Sequence, residues 1–153
     1  MRWVHTITLE VFAKEDEDIA KIENSLRAFI PFDMEKEKIT IDVEKAVSVQ
    51  EKIIKILTIV LKKESHTNTF LRFLLDKLTD AQKKLLKEQA ESRLDPHLHF
   101  FVRFDKSSWM ANKTLKIIEG GDCFHLKLAL ASYPKKKETA LPLIEKLLSQ
   151  KSI

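Results

Sequence analysis

Residues 97–106, His-Leu-His-Phe-Phe-Val-Arg-Phe-Asp-Lys, alternate between polar and apolar side chains. In an extended strand, side chains two apart share a face. Leu98, Phe100, Val102 and Phe104 then point into a core, and His97, His99, Phe101, Arg103 and Asp105 point away from it. Basic groups around one aromatic ring can stack a base and attract a phosphate. A solvated sheet surface with one stray Phe has the same pattern, so periodicity alone leaves both readings open.

Other chemistry is sparse. His97 and His99, with His125, His5 or Cys123 from neighbouring strands, have the donor types of a zinc site. The plainer reading is histidines on an amphipathic sheet face, and no metal is expected. A metal-dependent nuclease would need converging carboxylates, for which only Asp105, Asp122 and Glu10 are candidates. Phe101 and Trp109 are candidate stacking surfaces, although an aromatic in a strand more often packs beneath a helix. The two glycines, Gly120 and Gly121, are adjacent, so neither a P-loop nor a dinucleotide-binding fingerprint can be built. Gly-x-Ser-x-Gly and His-Glu-x-x-His are also missing. The chain is therefore expected to be no enzyme and to need no cofactor.

The elements that must position these residues follow from composition and spacing. At 153 residues, 44% hydrophobic and 33% charged, the chain suits one folded domain over 1–153. Residues 1–35 hold four basic and eight acidic side chains, a net of −4. Residues 36–153 hold 23 basic and 15 acidic ones, a net of +8, which suits the electrostatic part of nucleic-acid binding. One cysteine allows no internal disulfide. No export signal or membrane-length apolar run is visible, so no membrane partner and a cytoplasmic location are expected.

β-branched and aromatic content predicts a strand over 2–12, and strands are also predicted over 38–44, 97–105, 114–118 and 123–131, the last two flanking a hairpin at Glu119-Gly120-Gly121-Asp122. Residues 52–62 fit a buried helix or a buried strand by periodicity, and their β-branched residues and the polar stop from Lys62 to Asn68 favour a strand. The acidic cluster Glu15-Asp16-Glu17-Asp18 reads as the start of a helix that Pro31 stops. Further helices are predicted over 69–78, capped by Thr67 or Asn68, and over 81–93 and 137–149, with a short helix or turn at 107–112.

Several blocks together resemble the archaeal RNA-binding family described as a predicted exosome subunit. They are Val4-His5 through Val11-Phe12-Ala13 with the acidic helix start, the ending Phe29-Ile30-Pro31, and Ser65-His66-Thr67-Asn68-Thr69, similar to a Gly-His-x-Gly-Asn-Pro loop. Phe101-Val102-Arg103-Phe104-Asp105-Lys106 resembles that family's Leu-Arg-x-Asp-Lys strand, and Gly121-Asp122 agrees as well. The likeness covers about residues 3–133. Ser65 and Thr67 replace the loop glycines, Thr69 the proline, and Ser107 the usual glutamine.

The resemblance implies a single α+β domain with an antiparallel-rich sheet and helices on one face, like a large-subunit ribosomal protein of the L-five type. It also implies RNA binding by backbone and shape, through Arg103, Asp105, Lys106, His66 and Asn68, and a link to an RNA-processing complex or the exosome. The alternative is a protein–protein module or homodimer that binds no RNA.

Overall fold

Period-two alternation along four strands builds a sheet with one apolar face, and amphipathic helices cover that face. The computed structural model describes residues 1–150. In chain order they form β1 (Val4–Lys14), α1 (Ile19–Arg27), β2 (Asp42–Val47), β3 (Ile53–Leu61), α2 (Glu64–Lys77), α3 (Asp80–Glu88), α4 (Ala90–Arg93), β4 (His99–Asp105), α5 (Lys106–Asn112), β5 (Cys123–Leu130) and α6 (Lys137–Leu148). The strands make one antiparallel sheet in the order β2-β3-β1-β5-β4, the α+β class expected.

The chain divides into two compact units. One contains Met1–Ile7, Leu61–Val102 and the residues from Lys127 onward; the other contains Thr8–Val60 and Arg103–Leu126. Strands β1, β3, β4 and β5 contribute residues to both.

In the first unit, Leu71 and Leu74 of α2, Leu86 of α3, and Ile144 and Leu147 of α6 close over Phe100, Val102, Leu128 and Leu130. The void they leave is about 20 Å³, too small to weaken the packing seriously. Helix α3 begins with a capping box: Gln82 N donates to Thr79 Oγ1 at 3.1 Å, and Thr79 N to Gln82 Oε1 at 2.9 Å. The single helix expected over 81–93 is broken at Gln89, whose side chain accepts from Arg93 Nε and Nη2 at 2.9 and 2.7 Å. Arg93 Nη1 also donates to Phe101 O at 3.2 Å, so the guanidinium is buried with its donors engaged.

In the second unit, the core is aromatic. Phe29 stacks on Trp109 with centroids 4.0 Å apart and touches Phe124 and Phe104 at 5.1 and 6.2 Å. Trp109 Nε1 donates to Ser25 O at 2.7 Å, which satisfies its one polar atom. Trp109 is thus a core residue and presents no stacking surface, the packed alternative that the sequence reading favoured. Helix α1 starts where Asp18 accepts from Ala20 N, and it ends at Arg27, ahead of Pro31, where the chain turns to bury Phe29.

Four expectations are corrected. The strand predicted over 38–44 lies over Asp42–Val47 as an edge strand that pairs with β3, Val43 opposite Leu57 and Val47 opposite Ile53. Residues 114–118 form no strand of a hairpin; Ile117 bridges to Phe104 instead, beside β4. The segment 65–69 is no loop, because α2 already begins at Glu64. Finally, β4 starts at His99, since Leu98 sits at φ 63° in the left-handed region, where no strand can continue. Leu98 is nevertheless buried, as its place in the alternation predicts.

Replacing Phe29 with alanine is expected to lower the unfolding free energy by about 3–5 kcal/mol, because all three ring partners lose contacts. Urea denaturation would measure it; a loss below about 1 kcal/mol would contradict the aromatic core described here.

Candidate nucleic-acid interface

In the second unit the alternation leaves one sheet face without a helix over it. Val11 and Ala13 of β1, Phe104 of β4, and Phe124 and Leu126 of β5 are buried. Their neighbours Glu10, Phe12 and Lys14, Arg103, and Cys123 and His125 therefore face the other way. With Ile54 of β3 and the turn at Gly121-Asp122 they line a shallow concavity of about 500 Å³, within the range of small-ligand sites. Phe12 is 47% exposed, so the face of a large ring is open to solvent.

Arg103 is the strand residue that both the alternation and the family motif single out, and its side chain lines this concavity. Its backbone is tied down, with Ile118 N donating to Arg103 O at 3.0 Å. Its guanidinium makes no hydrogen bond or salt bridge among the described residues. Burial pushes the Cys123 thiol above its ordinary value against the pull of the Arg103 charge, which places the two groups close together.

Lys106 and Asp105 have different work. Lys106 is one residue past the end of β4 and falls on the inward parity, so its side chain is buried at 3% exposure. Its ammonium donates to Phe12 O at 2.7 Å and Glu17 Oε1 at 3.0 Å, and lies 3.3 Å from Asp122 Oδ2. All three N–H groups of an ammonium are thereby committed to protein acceptors. Asp105 caps α5: its Oδ2 accepts from Ser108 N at 3.0 Å and Ser108 Oγ at 2.6 Å. Those two bonds hold the Asp105 carboxyl below the usual carboxylate range. The motif Arg103-Phe104-Asp105-Lys106 thus places one side chain at the concavity and two in the frame that supports it.

His66 and Asn68 belong to the first unit, on the opening turns of α2. His66 is buried, and Asn68 Nδ2 donates to Met1 O at 3.2 Å while its Oδ1 is buried with no partner among the described residues. The hydroxyls of Thr67 and Thr69 bond back to Glu64 O and Ser65 O within the helix.

The other candidate groups are accounted for within each unit. His99 Nδ1 lies 3.3 Å from Asp95 Oδ2, and burial of that carboxyl is outweighed by the His99 N–H and charge, leaving it below its ordinary value. No three His, Cys, Asp or Glu side chains among the described residues are grouped to hold a metal ion. Of the carboxylates considered for nuclease chemistry, Asp105 is turned to Ser108, and Asp122 to Lys106 and Lys14, 3.5 Å away. The sequence reading did not single out Phe12 or Lys14. The run Leu9-Glu10-Val11-Phe12-Ala13-Lys14 carries the signal, because Phe12 shares its parity with Glu10 and Lys14.

The open face therefore carries an exposed ring and a mixed set of charges, Lys14 and Arg103 with Glu10 and Asp122. The family model described as RNA binding matches residues 6–130, and the chain belongs to that family. Among its relatives is the RNA-binding protein PAB1135 of Pyrococcus abyssi, 25% identical over 144 residues, covering 94% of this chain and 93% of that protein. Two solved archaeal structures share the fold at 24% identity. Protein AF2318 of Archaeoglobus fulgidus superposes with a TM-score of 0.84, covering 94% of this chain and 99% of that one. Mth689 of Methanothermobacter thermautotrophicus gives 0.77, covering 96% and 99%. No helix among the described residues is long and apolar enough to cross a membrane.

Lys106→Met should destabilise the protein by about 1–3 kcal/mol in urea titrations. That is less than a fully buried pair costs, because Glu17 and Asp122 can rehydrate. The pH dependence has a defined sign. Burial raises the Glu17 pKa, but the Lys14 N–H and the Lys106 ammonium outweigh it, so the folded value lies below the ordinary 4.5. The associated stability is complete above that ordinary value and disappears as pH falls through the folded one. Lys106→Met should therefore have a flatter stability profile than the parent protein in the acid range.

Proposed function

We propose that this chain is a non-catalytic RNA-binding protein that engages RNA with the open sheet face around Arg103. The reading is supported by family membership and carried by one observation: an exposed Phe12 ring on β1 shares a concavity with the Arg103 guanidinium on β4, across β5, and that guanidinium has no protein partner among the described residues. Stacking accepts a base, and the guanidinium binds the adjoining phosphate bidentately. Asp105 and Lys106 act as positioning residues that hold the end of β4 and the Phe12 backbone. We infer that it acts as an accessory factor delivering RNA to a processing complex such as the exosome.

The protein–protein alternative draws on a separate observation. Val43, Val47 and Ile53 on the β2–β3 pair and Val49 at its turn are all exposed, on a strand with one unpaired edge. Concentration-dependent sedimentation that Val47→Lys abolishes would favour a homodimer through this edge.

Fluorescence anisotropy with a short single-stranded RNA tests the leading reading. Phe12→Ala should weaken binding by about 1–3 kcal/mol, the usual worth of one stacked base. Arg103→Ala should weaken it as well and reduce the slope of log affinity against log salt by about one phosphate contact. Unchanged affinity and slope in both variants would place the RNA elsewhere.

A further inference from the structure

The concavity holds a feature that phosphate recognition does not explain. Two carboxylates, Glu10 and Asp122, line a face that is to receive a polyanion. Asp122 is neutralised by Lys106 and Lys14 at 3.3 and 3.5 Å. Glu10 has no hydrogen bond or salt bridge from its side chain among the described residues, although Arg103 lines the same concavity. Both act on Cys123, in opposite senses, so the two charges stand around one thiol without joining. An unpaired carboxylate repels phosphate, and its presence is productive where it accepts hydrogen bonds from a base edge.

The bases differ in what they can offer. Guanine presents two adjacent donors, N1–H and the N2 amino group, matched to the two oxygens of one carboxylate, as a guanidinium is. Adenine and cytosine present a single amino group there, and uracil a single ring N–H. That edge is available only when the base is unpaired. Resting on the RNA-binding reading, we propose that the concavity takes one unpaired guanine of a single-stranded RNA, stacked on Phe12, with its N1–H and N2–H donated to Glu10 and the adjoining phosphate on Arg103. The shared strand sets this geometry. Glu10 and Phe12 are two apart on β1, so they lie on one face with the spacing of successive same-side residues.

The test uses the full chain and three uridine-rich oligonucleotides identical except for one central guanosine, inosine or adenosine. Guanosine should bind about 5- to 150-fold tighter than adenosine, the discrimination of one good bidentate contact, with inosine, which lacks the amino group, between them. Glu10→Gln should keep binding RNA while losing most of the guanosine preference, and its thermal unfolding should match that of the parent. Equal affinity of the parent protein for all three oligonucleotides, or a guanosine preference that survives Glu10→Gln, would overturn the assignment. Failure to bind any of them would instead overturn the RNA-binding reading beneath it.

Discussion

An ammonium taken out of water costs several kcal/mol unless acceptors replace its hydration. Lys106 meets that condition with Phe12 O, Glu17 and Asp122, which come from the end of β1, the turn before α1 and the turn before β5. Residues 12–17 and Asp122, far apart in sequence, are thereby held on one charge. The Phe12 backbone is one of them, so the exposed ring is supported by an interaction on the opposite side of its own strand. Asp105, the neighbour of Lys106, spends its carboxylate on the first turn of α5, which fixes where that helix begins.

The second unit places its aromatic residues on two faces with different uses. Phe29, Trp109, Phe104 and Phe124 pack among themselves, and the indole N–H is satisfied by Ser25 O. Phe12, the one Phe of β1, is turned outward. A well-packed core on one side permits a sheet to leave the other side open, because the apolar burial needed for stability is already achieved. The open side, with its ring and its charges, is the surface proposed for RNA.

Much of the fold is legible in the residues themselves. Phe100, Val102 and Phe104 are buried as their spacing predicts, and so are Phe124, Leu126, Leu128 and Leu130. β3 over Ile53–Leu61 and α6 over Lys137–Leu148 also lie where periodicity puts them. The errors have physical causes. Ile39 and Ile41 mimic a strand, yet the partner edge of β3 pairs with residues starting at Asp42. Segment 65–69 reads as a loop by likeness to a glycine-bearing motif, but Ser and Thr there close hydrogen bonds inside a helix. Residues 116–118 alternate like a hairpin strand, while their hydrogen bonds go to Arg103 and Asp105.

What the amino-acid order determines by itself is parity and class. A period of two assigns each strand residue to one of two faces, and the apolar residues choose which face is buried. Arg103 could therefore be placed outward from its neighbours alone. Only the tertiary structure decided what the outward and inward charges do, because that depends on which distant groups come within a few ångströms. Lys106 looks from its motif like a second phosphate ligand, and it became the frame because Phe12 O, Glu17 and Asp122 converge on it. Glu10 and Phe12 look like ordinary strand residues, and they became a candidate base site because β5 and β4 bring Cys123 and Arg103 alongside.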